Sequence, residues 1–179
     1  MSKKTAIRFA KIYPRLWSDE NLQTIIGSNR NLLGLALYLR TNKSFNMVGL
    51  YPLPISQVKR ELVYDSYDDA KSAIKQLCET GYCKYCFDSE YIFVIKMAEM
   101  QSGDLVNNKQ LRGIHNILVR LHEEKAPFID SFIEVYGDQF GLSKEAIERN
   151  EYGYVELRDV SIVHRPSKKT NGDWKKSCK

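Results

Sequence analysis

Polar and charged side chains recur at the spacing of one helical face near the middle of this chain. Lysine, serine and glutamine at such spacing can hydrogen-bond to base edges and phosphates in the major groove of DNA, and an aspartate can accept from a cytosine amino group. The same row is also typical of a helix face that meets only solvent. The candidate DNA-contacting residues of this stretch are Ser66, Asp68, Lys71, Ser72, Lys75 and Gln76, and Glu79 continues the row.

Further cations lie before and after this stretch. Lys59 and Arg60 belong to the preceding predicted helix, where they would contact the phosphate backbone without reading the base sequence. Lys84 belongs to a predicted hairpin whose tip is acidic, with Asp88 and Glu90, so the hairpin is expected to contribute little to DNA binding. Near the end of the chain, four more lysines are candidates for a sequence-independent hold on phosphates, namely Lys168, Lys169, Lys175 and Lys176.

The sequence lacks the common motifs of catalysis. It contains no Gly-rich phosphate loop, no Gly-x-Gly-x-x-Gly and no His-Glu-x-x-His. Its three histidines and scattered carboxylates have no spacing that suggests acid–base chemistry. We therefore predict that the chain is not an enzyme and uses no cofactor.

Cys83 and Cys86 have the two-residue gap of half a zinc site. No second half-site follows at a suitable distance, and the segment has the pattern of a strand, in which positions three apart face opposite sides. We therefore interpret both cysteines as small, half-buried hydrophobic residues. His115 and His122 are seven positions apart and are expected to share a helix face, but two ligands do not make a metal site.

The composition is that of a folded protein with a basic bias. Of 179 residues, 43% are hydrophobic, and the formal net charge is +5, with the excess concentrated at the two ends. Such a charge favours a polyanionic partner without requiring one. No apolar run approaches the roughly 18 residues of a membrane helix, and the first residues lack a signal-peptide core. We therefore expect a cytoplasmic protein that does not bind membranes.

Six elements must position the candidate side chains. Periodicity and turn residues predict helices over 29–40, 54–63 and 66–80, the last of them capped by Ser66 and ended by Gly81. The buried face of this last helix is predicted to consist of Tyr67, Ala70, Ala73, Ile74 and Leu77. Strands are predicted over the segments 47–51, 82–87 and 91–95. The order helix, strand, helix, helix, strand, strand is that of a winged helix-turn-helix, in which the third helix buries one face and leaves the other free.

The predicted fold class is mainly α with a small β-sheet, that is α+β, with a helical extension after the winged helix. We divide the chain into an N-terminal arm, a winged-helix DNA-binding domain, a helical extension and a basic, disordered tail. The corresponding ranges are 1–27, 28–101, 102–150 and 151–179. The arm contains a short helix that is expected to be capped by Ser18, with Trp17 packing over its start.

Three helices are predicted in the extension, after a linker at 100–104. They cover residues 104–124, 127–136 and 143–150. The apolar side of the first, together with aromatic residues of the second, is expected either to form the contact of a homodimer or to pack back onto the winged helix.

Three stretches carry a pattern that resembles a known family. They contain a Leu-Trp-Ser-Asp opening, a Leu-rich helix ending in Thr-Asn, and an Asn-Met-x-Gly-x-Tyr run. Together with the segments 70–85 and 94–101, they resemble the N-terminal domain of phage and prophage replication-initiation proteins of the replisome-organiser type. The stretches are Phe9-Ala-Lys-Ile-Tyr-Pro-Arg-Leu-Trp17-Ser-Asp-Glu20, Leu35-Ala-Leu-Tyr-Leu-Arg-Thr-Asn42 and Asn46-Met-Val-Gly-Leu-Tyr-Pro-Leu-Pro54.

This resemblance implies that a winged helix binds double-stranded DNA in an origin region during initiation of replication. It also implies a C-terminal part that recruits a replicative helicase or a helicase loader. The C-terminal part of this chain is short, so a role in DNA binding alone stays open. A winged-helix transcriptional regulator and a protein-interaction module without DNA activity are the alternatives, because fold does not fix function.

Overall fold

The computed structural model describes residue 10, residues 12–102 and residues 108–149. This part of the chain is mainly helical, with a small three-stranded antiparallel sheet, in agreement with the predicted α+β class. None of the helices within these ranges is both long enough and apolar enough to cross a bilayer. The helices are α1 (Glu20–Ser28), α2 (Leu32–Thr41), α3 (Ile55–Leu62), α4 (Tyr67–Glu79), α5 (Met97–Ser102), α6 (Asn108–Glu123), α7 (Ile129–Phe140) and α8 (Lys144–Glu148), and the strands are β1 (Leu50–Pro52), β2 (Cys83–Cys86) and β3 (Tyr91–Val94).

The chain enters α1 through a 3-10 turn at Pro14–Ser18. Asp19 caps α1, because its carboxylate accepts hydrogen bonds from two backbone N–H groups of the first turn, at 3.0 and 3.1 Å. The prediction that Ser18 caps this helix is therefore wrong, since Ser18 is already the last residue of the 3-10 turn. Trp17, expected to pack over the helix start, is 53% exposed.

From α2 to β3 the elements follow the predicted order of helix, strand, helix, helix, strand, strand. In the sheet, β3 lies between β1 and β2 and is antiparallel to both. Leu50 pairs with Phe93, and both Tyr51 and Tyr85 pair with Ile92. Because alternate residues of a strand point to opposite faces, Tyr51, Ile92 and Tyr85 share one face, and Leu50 and Phe93 share the other.

β1 begins at Leu50 rather than at position 47, because Asn46 holds the preceding residues in a turn. Its Oδ1 accepts from the N–H groups of Val48 and Gly49 at 3.0 and 2.9 Å, and its Nδ2 donates to the Leu50 carbonyl at 2.7 Å. Gly49 has a φ of 79°, and a Cβ there would lie 2.5 Å from the Cβ of Met97. The Asn-Met-x-Gly pattern thus has a structural explanation, since only glycine fits at that position.

One face of the sheet and helices α1–α4 enclose a first core. The sheet contributes Tyr51, Tyr85 and Ile92 to it. Tyr67, which was predicted to be buried with the apolar side of α4, is instead 45% exposed at the first helical position. The other four predicted residues of that side are buried in this core, namely Ala70, Ala73, Ile74 and Leu77.

The opposite face of the sheet and the later helices enclose a second core. Leu50 and Phe93 pack there with Ile114 and Leu118 of α6 and with Phe132 of α7. Of the two expectations for the apolar side of the helix predicted at 104–124, packing back onto the sheet is the one observed. This side of α6 is therefore covered within the chain and is not available as a homodimer contact.

A short helix, α5, replaces the start of the linker predicted at 100–104. Lys96 has a φ of 67° and turns the chain from β3 into α5, where Met97, Ala98 and Met100 are buried. Met97 and Met100 pack into the first core and Ala98 into the second, so this segment is packed structure rather than a linker. Similarly, α7 continues past its predicted end at 136 and stops at Gly141, which has a φ of 61°.

Candidate nucleic-acid interface

Helix α4 lies on the first core with its polar side outward. The Ser66 hydroxyl accepts from the Asp69 N–H at 3.0 Å and donates to the Asp69 carboxylate at 2.6 Å, and that carboxylate accepts from the Ser66 N–H at 3.0 Å. This capping box confirms the predicted cap and engages the Ser66 hydroxyl within the protein. In the rest of the predicted row, Lys71 is half-buried, and the exposed residues are Asp68, Ser72, Lys75 and Gln76.

Two lysines of α4 converge on one aromatic ring. The Nζ atoms of Lys71 and Lys75 lie 5.5 and 5.8 Å from the centroid of the Phe87 ring. Phe87 directly follows β2, and its ring meets the ring of Tyr85 at an angle of 62°, with the centroids 4.8 Å apart. We call Lys71, Lys75 and Phe87 the lysine–phenylalanine cluster. The attraction between an ammonium group and a ring face holds both cations on one edge of α4.

Phe87 is not among the candidate residues predicted from the sequence. The available signal was an aromatic residue at the end of a strand that follows a helix with lysines four positions apart. That signal is weak, because the strand must lie beside the correct face of α4 before the ring can meet the lysines.

Ser72 and Gln76 lie on the polar side of α4 and are bonded to each other. Gln76 Nε2 donates to Ser72 Oγ at 3.2 Å, and Gln76 Oε1 accepts from Asn29 Nδ2 at 3.0 Å. The second bond joins α4 to the turn between α1 and α2. Both side chains thus stay accessible while their orientation is defined, which suits hydrogen bonding to base edges.

Lys59 and Arg60 lie in the last turn of α3, as the sequence predicted. Arg60 Nη2 is 3.6 Å from Glu61 Oε1, and Lys43 Nζ is 2.9 Å from the same oxygen. The side chains of Arg60 and Lys43 are 70% and 71% exposed. The fold therefore adds Lys43, from the loop after α2, to the cations predicted on α3.

Glu61, in the last turn of α3, organises these cations. Tyr38 donates to Glu61 Oε2 at 2.7 Å, and Gln57 donates to the Tyr38 hydroxyl at 3.0 Å. The hydrogen bonds from Tyr38 and Lys43 lower the pKa of Glu61 to about 2. Burial and the bond to Glu61 raise the pKa of Tyr38 to about 12. At neutral pH Glu61 is therefore an anion held by one neutral tyrosine and two cations.

The turn between α3 and α4 exposes apolar surface beside the polar row. Val63 is 84% exposed and has a φ of 56°, a conformation that β-branched residues rarely adopt. Tyr67 is 45% exposed, one turn before Lys71. Apolar groups at this edge can contact thymine methyl groups or deoxyribose.

The hairpin differs from the prediction in two side chains. Lys84 pairs with Phe93 on the second-core face of the sheet, and its Nζ donates to Ser131 Oγ at 3.1 Å. Glu90 turns inward, where its Oε1 accepts from the Ile55 N–H at the start of α3 at 3.0 Å. The structure therefore separates Lys84 from the α4 surface, and the exposed acid left at the hairpin tip is Asp88.

The remaining candidates are dispersed or fall outside the description. Lys168, Lys169, Lys175 and Lys176 lie outside the described residues.

The residues considered as metal ligands are separated by the fold. Cys83 faces the first core, and Cys86 pairs with Tyr91 toward the other face, as the strand pattern predicted. His115 is buried and His122 is exposed, so their expected shared face does not give them a shared environment. Within the described ranges, no three His, Cys, Asp or Glu side chains cluster as a metal site.

The structure thus gathers the predicted residues of α3 and α4 onto packed neighbouring helices and adds Phe87 and Lys43 to them. Compared with models of protein families, with curated proteins and with solved structures, the chain has no significant match.

Proposed function

We propose that this chain is a winged-helix protein that binds double-stranded DNA sequence-specifically through α4. The order of elements from α2 to β3, with a hairpin directly after the third helix, supports this proposal. The observation that carries it is the exposed polar row of α4, bordered by the lysine–phenylalanine cluster. In a winged helix this face enters the major groove.

The residues of this surface divide into two kinds of DNA contact. Ser72 and Gln76 have donors and acceptors suited to base edges, so they are the candidates for sequence readout. Lys71, Lys75 and Arg60 are candidates for phosphate contacts, which position the protein and make affinity fall with salt. Each phosphate neutralised adds roughly one unit to the slope of log affinity against log salt.

We place this DNA binding in the initiation of phage or prophage DNA replication. The support is the resemblance over about residues 8–102, which also favours a replicative helicase or its loader as a protein partner. A homodimer would match two half-sites one helical turn apart, and its contact would use a surface other than the covered side of α6. Genome-wide mapping of bound sites separates replication from regulation: sites within an origin support the proposal, and sites overlapping promoters favour a regulator.

The binding proposal is tested by titrating labelled phage and random duplexes with the full chain at several salt concentrations. Lys71→Ala with Lys75→Ala should weaken binding to both duplexes and lower the salt slope by roughly one to two units. The matched control is Lys109→Ala with Lys144→Ala, which removes the same charge from exposed residues of α6 and α8. That control should bind within about twofold of the unaltered chain, because long-range charge effects are screened near physiological salt.

Two results would overturn the assignment. Equal losses in both double variants would mean that the net charge, and not α4, governs binding. Absence of binding by the unaltered chain at about 150 mM salt would favour a protein-interaction module instead.

A separate pair, Ser72→Ala and Gln76→Ala, should reduce the preference for the specific duplex while the affinity for random duplex stays unchanged.

A further inference from the structure

Two thiols meet where α4 passes into β2. Cys78 lies in the last turn of α4 and Cys83 is the first residue of β2, and their sulfur atoms are 3.7 Å apart. Both are free thiols. This pair differs from the Cys83–Cys86 spacing that stands out in the sequence, because Cys86 lies on the opposite face of the strand.

We propose that Cys78 and Cys83 are a redox-active dithiol that a hydroperoxide converts to a disulfide linking α4 to β2. A disulfide requires sulfur atoms about 2.05 Å apart, so closure asks for an approach of less than about 2 Å from the present contact. The two thiols lie on elements that already pack together, and the turn between them contains Gly81, which has a φ of 75°. This local flexibility lets the sulfur atoms approach without displacing the rest of either element.

The two thiols have different surroundings, which assigns them different roles. Cys78 is half-buried, whereas Cys83 is 2% exposed within the first core. The contact with the Cys83 thiol lowers the pKa of Cys78, and the same contact together with burial raises the pKa of Cys83. The more accessible and more acidic thiol is the expected nucleophile, and its buried neighbour is the expected resolving thiol.

The chemistry balances in two steps. The Cys78 thiol loses its proton and the thiolate attacks the terminal oxygen of the hydroperoxide, so that an S–O bond forms and the O–O bond breaks. The departing alkoxide or hydroxide takes up that proton and leaves as an alcohol or water. Cys78 is thereby oxidised by two electrons to a sulfenic acid, and the hydroperoxide is reduced. The Cys83 thiol then loses its proton and attacks the Cys78 sulfur, forming the S–S bond as the S–O bond breaks and water departs.

The digestion pattern of the chain allows a direct test. Trypsin cleaves after Lys75 and Lys84, so both thiols fall in the single peptide 76–84, whereas Cys86 falls in the next peptide. The full, reduced chain is treated with hydrogen peroxide, alkylated, digested without reductant and analysed by mass spectrometry. The expected product is peptide 76–84 lighter by two hydrogens and free of alkyl groups, and reductant should restore both alkylation sites.

Variants identify the two roles. Cys83→Ala should stop disulfide formation and leave a Cys78 sulfenic acid that a cyclic dione traps, while Cys78→Ala should leave peptide 76–84 unoxidised at the same peroxide dose. Cys86→Ser and Cys178→Ser should not change the yield. Circular dichroism of each variant establishes that it is folded before oxidation.

The rate in urea distinguishes the folded geometry from mere closeness in sequence. We expect the disulfide to form about tenfold faster in the native chain than in the unfolded chain, because the contact and the acidic Cys78 thiol exist only after folding. Equal rates would overturn the proposal. It would also be overturned by oxidation that links peptide 76–84 to Cys86 or Cys178, or by peroxide leaving both thiols of the native peptide alkylated.

Discussion

The two faces of the sheet are packed by different kinds of side chain. On the first-core face, buried tyrosine rings end in hydroxyl groups that donate to backbone carbonyls of other elements. On the second-core face, Phe93 meets Phe132 with centroids 6.0 Å apart, and Phe132 stacks further with Phe140 at 6.3 Å. The tyrosine bonds run from Tyr51 to Leu39, from Tyr82 to Ala36 at 2.8 Å and from Tyr85 to Leu53 at 2.7 Å.

This difference shows how the candidate interface is held in place. A hydrogen bond specifies direction, so the tyrosines define how α2 and the segment before α3 lie against the sheet. Ring packing specifies volume and shape, and it tolerates apolar exchanges more readily. Helix α2 and the segment that leads into α3 are therefore oriented by directional bonds, whereas α6 and α7 cover the other face through apolar packing.

The largest expected effect is the loss of stability from a cavity in the second core. Phe132→Ala should lower the free energy of unfolding by about 3–5 kcal/mol, because a fully buried ring is replaced by a cavity. Amide exchange should accelerate more in α6 and α7 than in α2 and α4, and DNA binding should persist well below the melting temperature. Uniform acceleration across all helices would mean that the two cores unfold as one unit.

Gly49→Ala should disrupt the turn that precedes β1. The new Cβ would meet the Met97 Cβ at 2.5 Å and the Val94 carbonyl oxygen at 2.8 Å, on a backbone with a φ of 79°. We expect a loss of about 2–3 kcal/mol in urea unfolding, from crowding and backbone strain together. Gly34→Ala is the matched control, because nothing lies within 4 Å of its Cβ position and it is in the interior of α2. That change should stabilise the protein, by up to about 1 kcal/mol.

Tyr82→Phe tests the contribution of a directional hydrogen bond in the first core. It removes the hydroxyl that donates to the Ala36 carbonyl and keeps the ring, so the free energy of unfolding should fall by about 1 kcal/mol. The exposed Tyr67 provides the control, and Tyr67→Phe should change stability by less than about 0.5 kcal/mol. If both substitutions had the same small effect, directional bonding would not distinguish the two faces.

Low pH should destabilise the first-core side through protonation of Glu61. Its pKa is lowered from 4.5 to about 2 in the folded state, so its contribution to the free energy of unfolding is complete above pH 4.5 and is lost as pH falls toward 2. We expect this loss to stay below about 1 kcal/mol, because the ion pairs are near the surface. Denaturant midpoints between pH 5 and 2 should therefore fall more steeply for the unaltered chain than for Glu61→Gln. Parallel pH profiles would contradict the assignment.

Local signals in the sequence determined the elements and several of their details. The apolar spacing within residues 66–80, with Ser66 at the start and Gly81 after the end, predicted α4, its cap and four of its buried residues. Capping and periodicity depend on neighbours within one or two turns, so they can be read from the chain itself. The same reasoning predicted that Cys83 and Cys86 face opposite sides of a strand.

Only the tertiary structure decided which distant side chains meet. Lys84 contacts Ser131, Glu90 reaches the start of α3, Phe87 lies under the lysines of α4, and the Asp19 carboxylate lies 4.0 Å from Arg40. Each contact depends on the register of the sheet and on which face a helix covers. A shift of one residue in a strand exchanges its two faces, so local pattern alone does not determine these partners.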